Sequence, residues 1–498
     1  MNTYTKKERN MYLIGLMGQN MIYNIIATGM TFYFQSVIFI PAMAISVIMG
    51  VARVWDAIND PMMGTIVDRT RTKWGKCRPY LFFVPAIVMV TTFLTFVNGQ
   101  YLETNDPNVN TMIIAWAAIS YILWGMTYTA GDIPLWGITS LMTESDADRG
   151  KLLSLARIVA GIAGAAMMFS IVPVSQAVGA SFTANGMSQK DGLQWGFIVV
   201  CGIFTVIGSL LFQCAAFAKE RVSQPSDDAK GFIQNVKIMW DCMPFRRILI
   251  SGVIKAPVQL ILGVAMTLLS YYYGDNGGSG QSYVLYMAVL GGSMYLSQFV
   301  AMGFVPKLCA KMEKKLVYNA STLLGAVPFG VVFAIFMLDG TNLYKTHWLI
   351  ITAILFALAG LGMGASTVMQ SVMIADCVDY DEHRTGYRPD GIFFSGQSFI
   401  TKLGAGISSF IQGIVFAIVG FSGENVRLIN EALAKTPATD FAFASNPEFA
   451  PYRFGMFFLI SVPTAVACIL SVIPMLKYEI TNEKHKEILA ELNAKRNA

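Results

Sequence analysis

Long apolar runs recur along the whole of this 498-residue chain, separated by short segments that hold most of its lysine and arginine. An apolar run of about 20 residues is long enough to cross the hydrocarbon core of a bilayer as a helix. Charged residues make up only 13% of the chain, whereas about 25% is usual in a soluble domain. The chain is therefore predicted to be an integral membrane protein.

The breaks between the apolar runs predict twelve membrane-spanning helices. Their approximate limits are 11–35, 41–67, 80–98, 110–138, 152–178, 194–217, 246–273, 281–306, 316–338, 347–374, 392–420 and 452–476. The strands of a membrane barrel would instead alternate in polarity over about ten residues. The predicted fold class is an all-α membrane protein.

The distribution of basic residues orients these helices. Of the 36 lysines and arginines, most fall in one set of alternate connections together with both termini, and few fall in the opposite set. Cytoplasmic loops carry an excess of lysine and arginine, so both termini are predicted to be cytoplasmic. The first apolar run is too long for a signal-peptide core and is expected to be retained in the cell (plasma or inner) membrane as a span.

The longest predicted cytoplasmic connection divides the chain into two halves of six spans. We predict an N-terminal bundle at 1–217, a middle loop at 218–245, a C-terminal bundle at 246–476 and a cytoplasmic tail at 477–498. Basic segments follow span two and span eight, at corresponding positions of the two halves. This layout resembles the two pseudo-symmetric six-helix bundles of major facilitator transporters.

Several function classes are disfavoured by what the chain lacks. It has no Gly-x-x-x-x-Gly-Lys-Ser/Thr phosphate loop, so ATP is not expected to be the energy source. Its seven cysteines show no Cys-x-x-Cys spacing, which argues against disulfides and a structural metal. We expect no enzyme activity, no resident cofactor, no nucleic-acid binding and no obligate protein partner.

Three polar residues in predicted span two lie on one helical face. Asp56, Asn59 and Asp60 are spaced i, i+3 and i+4, so their side chains are neighbours. Charged groups inside a membrane are costly and indicate function. The oxygens of these side chains suit a small hard cation, or the two acids share a proton. The alternative is structural: Asp60 caps a helix broken at Pro61, and Asp56 pairs with Arg53.

Predicted span four carries an acid beside aromatic rings. Asp132 and Trp136 are four residues apart, and Tyr128 lies one turn earlier. A carboxylate can accept hydrogen bonds from sugar hydroxyls while a ring covers the apolar face of the sugar. The alternative places Trp136 at the lipid interface and Asp132 in a salt bridge.

Further charges are predicted in and beside the membrane. Arg157 in span five and Lys402 in span eleven would neutralise acids in a central cavity, or extend to an interface. Two segments of opposite charge are predicted to pair as an inner gate. As exposed charges they would contribute little individually, unless the loop charges act as a network. The first contains Asp68, Arg69 and Arg71, and the second contains Asp376, Asp379 and Asp381.

Three segments resemble the glycoside–pentoside–hexuronide:cation symporters, in particular their melibiose permease branch. They are RVWDAINDPMMGTIVDRTRTKWGKCRPY, YILWGMTYTAGDIPLW and ADCVDYDEHRTGYRPDG. The resemblance implies that Thr129 joins Asp56, Asn59 and Asp60 in a coupling-cation site. It also implies that Tyr128, Asp132, Trp136 and Arg157 contact the sugar and that Lys402 links the two sites.

One departure from that family concerns predicted span one. Melibiose carriers have a Lys-Asp pair there, and the matching residues are Gln19 and Asn20. A carboxylate acceptor is missing, which disfavours α-galactosides, while both amides remain able to bind sugar hydroxyls or to accept an anionic uronide. The coupling cation is expected to be Na⁺ or H⁺, with Li⁺ as an alternative.

The expected function is import of a sugar or glycoside coupled to a cation by alternating access. Two other readings stay open at this point. One is a channel, facilitator or sensor that uses the same fold without coupling, and the other is an exporter of another small organic solute.

Overall fold

The structure is a computed structural model that describes residues 3–497 with several gaps. The gaps are 31–32, 39, 41, 98–106, 223–231, 274–284, 389, 422–424, 426–427, 430–431 and 434–440. The described residues are helical or lie in connections, and no strand occurs among them. The all-α prediction is confirmed.

Fifteen helices are named here in chain order. They are α1 (Lys6–Asn24), α2 (Ala42–Arg69), α3 (Arg78–Phe96), α4 (Pro107–Leu141), α5 (Asp146–Ala184), α6 (Gln189–Gln213), α7 (Phe232–Asp241), α8 (Met243–Ile254), α9 (Leu260–Tyr272), α10 (Gly292–Lys311), α11 (Lys314–Asp339), α12 (Thr346–Thr385), α13 (Asp390–Ile418), α14 (Ala450–Met475) and α15 (Asn482–Asn497). Short π- or 3₁₀-helical segments adjoin several of them, including Ile25–Met30 after α1 and Cys214–Phe217 after α6.

Nine helices within the described residues are long and apolar enough to cross a membrane. A bent pair, Met243–Ile254 and Ala256–Leu269, meets the same test as one unit with an angle of 46° between its parts, which raises the number to ten. The count of twelve is not confirmed. Helices α1 and α2 lie where the first two spans are predicted but are not among these ten. Helix α1 begins with charged residues, and α2 carries Asp56 and Asp60 in its middle, which lowers the mean hydropathy of both.

The described chain forms two compact units. The first comprises Met1–Cys242, Ala375–Phe399 and Glu487–Ala498, and the second comprises Met243–Ile374 and Ile400–Lys486. The first unit therefore contains α1 to α7 together with the end of α12, the start of α13 and most of α15. Part of the predicted middle loop, 223–231, lies outside the described residues, so the predicted domain limits stay predictions.

Local sequence explains how α1 is placed in the first unit. Thr5 caps the helix: its hydroxyl accepts from the Glu8 N–H, and the Glu8 carboxylate accepts from the Thr5 N–H. Two glycines then let α1 approach α6 and the 3₁₀ segment Cys214–Phe217 closely. A Cβ atom on Gly15 would lie 2.5 Å from the Ala215 Cβ, and one on Gly18 would lie 2.3 Å from the Gly208 carbonyl oxygen. This packing fixes the position of the neighbouring Gln19.

Candidate functional site

A group of polar side chains joins α1 to α4 inside the first unit. The Gln19 amide nitrogen donates to Asp132 Oδ1 at 2.8 Å and also to the Tyr128 hydroxyl. Asn20 donates to the Gln19 amide oxygen at 2.7 Å. The structure thus brings together four residues of the predicted sugar site, and Gln19 supplies a neutral amide donor to Asp132.

Asp132 also contacts a segment that sequence analysis did not assign to the site. The Ser398 hydroxyl donates to Asp132 Oδ2 at 3.4 Å. The Asp132 side chain is buried, and so is Tyr128. Ser398 lies four residues before Lys402 in the sequence. A polar serine within an apolar run is the sequence signal that would have indicated Ser398.

Trp136 and Arg157 also belong to this group. The Arg157 guanidinium lies 4.1 Å from the centroid of the Trp136 ring, within the range of a cation–π contact. Trp136 is buried, which excludes the reading that placed it at the lipid interface. Electrostatic interactions connect Arg157 to Asp132 and to Tyr12. We call Gln19, Tyr128, Asp132, Trp136 and Arg157 the sugar cluster.

The three polar residues of α2 are buried next to α4. Asp56, Asn59 and Asp60 are 8%, 3% and 0% exposed. The Thr129 hydroxyl donates to Asp60 Oδ1 at 3.1 Å, so the predicted cation-site residue on α4 does meet α2. Helix α2 continues through Pro61 to Arg69, so Asp60 does not cap a broken helix. The Arg53 side chain lies outside the described part of the structure, and its pairing with Asp56 stays a prediction.

A second set of charges lies in the first unit. Asp68 is buried and binds Lys76 Nζ at 3.1 Å. It also accepts from the backbone N–H groups of Gly391 and Ile392, both at 2.9 Å, at the start of α13. Lys76 in turn binds Asp390 at 2.8 Å. The connection after α2 is thereby tied to the N-terminus of α13.

The same set continues through the arginines. Asp379 binds Arg149, and it binds Arg388 at 2.9 Å. Arg388 also binds Glu382, and its Nε lies 3.1 Å from Asp390. We call Asp68, Lys76, Arg149, Asp379, Arg388 and Asp390 the charge network.

Burial and neighbouring carboxylates act in opposite directions on the pKa values of Lys76 and Arg388. Burial lowers the pKa of Lys76, but the carboxylates of Asp390 and Asp68 outweigh burial and raise the pKa above its ordinary value. The pKa of Arg388 is raised for the same reason by Asp390, Glu382 and Asp379. Both side chains therefore stay charged.

The predicted gate residues are placed in different surroundings. Asp68 and Asp379 belong to the charge network, and Asp381 binds Arg384 at 2.7 Å. Asp376 is buried, while Arg69 is exposed and Arg71 donates to the Asp68 carbonyl oxygen. The prediction that the gate charges are exposed was wrong for the four aspartates, because other segments of the chain bury their side chains. These are Asp68, Asp376, Asp379 and Asp381. Direct pairing of the two predicted segments stays a prediction.

Sequence analysis missed four partners in the charge network: Lys76, Arg149, Arg388 and Asp390. Three of them stand in the same quoted segments as Asp68 and Asp379, and Arg149 stands near Lys151 in the first turns of α5. Glu220 was also missed. Its carboxylate accepts from the N–H groups of Lys76, Cys77 and Arg78 and so caps the start of α3. The only sequence signal for Glu220 was an acidic residue between the basic residues Lys219 and Arg221 after predicted span six.

Lys402 is half-buried on α13 and belongs to the second unit. Its predicted role as a link between the sugar and cation sites stays a prediction.

Comparison with known proteins decides the family. The model of the MFS/sugar transport protein family matches residues 11–482. The chain belongs to this family. It is 26% identical over 433 residues to the isoprimeverose transporter of Lactiplantibacillus pentosus, covering 84% of this chain and 82% of that protein. It is 23% identical over 492 residues to the glucuronide carrier protein homolog of Escherichia coli (strain K12), covering 97% and 94%.

Solved structures of other transporters share the fold. A proton:xylose symporter bound to 6-bromo-6-deoxy-D-glucose has a TM-score of 0.54 at 13% identity, covering 98% of both chains. A bacterial homologue of the iron transporter ferroportin has a TM-score of 0.60 at 9% identity, covering 95% and 99%. These likenesses concern the fold alone, and a fold does not select a substrate.

The family assignment confirms the resemblance to glycoside–pentoside–hexuronide:cation symporters. The protein is a multi-pass membrane protein of a sugar transport family, and that family consists of transporters rather than enzymes.

Proposed function

We propose that the protein imports a sugar or glycoside together with Na⁺ or H⁺ by alternating access. One observation carries this proposal: a single turn of α4 contacts both candidate sites. Tyr128 and Asp132 meet Gln19 in the sugar cluster, and Thr129 between them binds Asp60. A change at either site is transmitted to the other through that turn.

The sugar cluster has the chemistry that a sugar requires. Asp132 accepts hydrogen bonds from hydroxyl groups, while Gln19 and Arg157 donate to sugar oxygens. Trp136 offers a ring face once Arg157 moves away from it. Because Gln19 and Asn20 are both neutral amides, the cluster has one carboxylate instead of two. We therefore propose a pentoside, a hexuronide or a glycoside other than an α-galactoside.

The coupling cation is proposed to bind at Asp56, Asn59, Asp60 and Thr129. Carboxylate, amide and hydroxyl oxygens suit Na⁺ or Li⁺, and the two acids alternatively hold one proton. Two buried carboxylates repel each other, so a cation removes a repulsion and stabilises the turn of α4 that also binds the sugar. By thermodynamic linkage, sugar then raises the affinity for the cation by the same factor.

The remaining elements of the proposal concern the transport cycle. Lys402 is proposed to link the two sites, and the charge network is proposed to close the cytoplasmic side in the outward-facing state. We also propose twelve spans, with both termini in the cytoplasm and the chain in the cell membrane.

Uptake into proteoliposomes tests the proposed function. The probes are p-nitrophenyl β-xyloside and p-nitrophenyl β-glucuronide, each with an inward Na⁺ gradient, an inward H⁺ gradient or neither. We expect one glycoside to accumulate above its external concentration with one of the two gradients and to do so no longer when an ionophore removes that gradient. Equilibration without accumulation would instead support an uncoupled facilitator, and extrusion from loaded vesicles would support an exporter.

A further inference from the structure

The hydroxyl group of Tyr12 has no role in the sites described so far. Tyr12 lies on α1 and is fully buried, and its hydroxyl has no hydrogen-bond partner within the described part of the chain. Most buried polar groups are hydrogen-bonded, because leaving one without a partner costs free energy. A buried hydroxyl without a hydrogen-bond partner inside this helical unit therefore needs a physical explanation.

Other tyrosines of the first unit show the contrast. The Tyr33 hydroxyl, also fully buried, donates to the Phe96 carbonyl oxygen at 2.7 Å. The Tyr4 hydroxyl donates to the Asp148 carbonyl oxygen at 2.9 Å. The Tyr128 hydroxyl accepts from Gln19. These three hydroxyls of the first unit therefore each have a partner of the kind that the Tyr12 hydroxyl lacks.

Tyr12 lies beside the sugar cluster. It precedes Gln19 by seven residues, which is two helical turns, so both side chains lie on one face of α1. Arg157 interacts electrostatically with both Tyr12 and Asp132, and it lies over the Trp136 ring. The unsatisfied hydroxyl is therefore close to the charged groups that we assign to the sugar.

We infer that Tyr12 is a further substrate-contacting residue, whose hydroxyl donates a hydrogen bond to an oxygen of the bound sugar. The inference rests on the proposed function and adds a specificity-determining group to its site. Because Tyr12 is fully buried, sugar reaches the hydroxyl when the surrounding side chains rearrange. Arg157, which is half-buried, is the neighbouring charged group whose movement would uncover it.

The substitution Tyr12→Phe separates this role from a structural one. Removing a buried hydroxyl that has no partner leaves stability unchanged or improves it. A structural role for the ring alone therefore predicts that Tyr12→Phe matches the wild type in every assay. A role in binding predicts a loss of sugar affinity of about three- to tenfold, since one neutral hydrogen bond is lost. Stability would not fall.

Isothermal titration calorimetry on the purified full chain tests the inference, using whichever of the two p-nitrophenyl glycosides the wild type binds. The matched control is Tyr33→Phe, which removes a satisfied hydroxyl: it should lower the melting temperature and keep the wild-type sugar affinity. Tyr12→Phe should instead keep or raise the melting temperature and lower the sugar affinity. Monodeoxy analogues of the probe give a second measurement: the analogue that lacks the contacted oxygen should bind wild type and Tyr12→Phe equally.

Asp132→Asn in the same experiment distinguishes a failure of the Tyr12 inference from a failure of the proposed sugar site. If Asp132→Asn loses affinity while Tyr12→Phe binds every analogue as the wild type does, the Tyr12 inference is overturned and the sugar site stands. If Asp132→Asn binds as the wild type does, or the wild type binds neither glycoside, the proposed site or function itself fails.

Discussion

The sugar cluster and the charge network lie in the same unit but are built differently. In the charge network, buried carboxylates face buried basic groups: Lys76 lies between Asp68 and Asp390, and Asp379 binds both Arg149 and Arg388. In the sugar cluster, one carboxylate meets amide and hydroxyl donors, and the hydroxyl of Tyr12 beside it is unsatisfied.

This difference indicates that buried polar groups serve different purposes in the two regions. Buried ion pairs are strongly coupled, because the loss of one partner leaves the other charge without compensation. The charge network is thus suited to hold one conformation firmly and to separate as a whole. Beside the sugar cluster, the Tyr12 hydroxyl has hydrogen-bonding capacity that no described group uses, which suits a residue that binds a ligand.

The largest effect is expected from a change in the charge network. Lys76→Met leaves Asp68 and Asp390 buried without their shared cation, which costs about 3–5 kcal/mol. We expect a markedly lower melting temperature and loss of transport. The matched control is Lys73→Met in the same connection, because Lys73 is exposed. Equal melting temperatures for the two variants would show that the network does not stabilise the fold.

The next effect concerns the single carboxylate of the sugar cluster. Asp132→Asn replaces a charged acceptor whose hydrogen bonds contribute about 1.5–3 kcal/mol, so sugar affinity should fall by at least tenfold. Cation binding, measured separately by calorimetry, should persist. Because the asparagine side chain can still accept the hydrogen bond that Gln19 donates, the melting temperature should change far less than in Lys76→Met. A large loss of stability would remove the contrast between the two regions.

A smaller effect is expected for the ring of the sugar cluster. Trp136→Ala removes a platform that contributes about 0.5–1.5 kcal/mol through aromatic contact, in addition to its packing. Sugar affinity should weaken by less than in Asp132→Asn. Trp136→Phe keeps a ring face and should restore most of the affinity. If the phenylalanine variant binds no better than the alanine variant, the ring does not stack on the sugar.

The smallest effect is expected at Arg69, which follows Asp68 of the charge network in the chain and is exposed. Arg69→Ala removes an exposed charge worth about 0–1 kcal/mol, and transport should fall modestly with sugar binding intact. Asp68→Asn removes a buried charge from the same segment and should have a much larger effect on transport. Similar losses in both would contradict the distinction between exposed and buried gate charges.

Helix positions and local spacing were largely predictable from sequence. The run at 80–98 corresponds to Arg78–Phe96, and the spacing of Tyr128 and Asp132 placed both on one face of α4. Contacts between distant segments were not predictable, since hydropathy does not identify partners. The Gln19–Asp132 hydrogen bond joins residues 113 positions apart, and Asp68 binds a backbone N–H 323 positions away. Burial of the predicted gate aspartates follows from such contacts.

Coupling between cation and sugar is the central claim, and Asp56→Cys tests it most directly. The measurement is accumulation of the transported glycoside in proteoliposomes with and without the driving cation gradient, with sugar binding as the check on folding. We expect the variant to bind sugar, to lose stimulation by the cation and to show no accumulation, while exchange of internal for external sugar continues. Gradient-driven accumulation at the wild-type level in Asp56→Cys would contradict the proposed cation site.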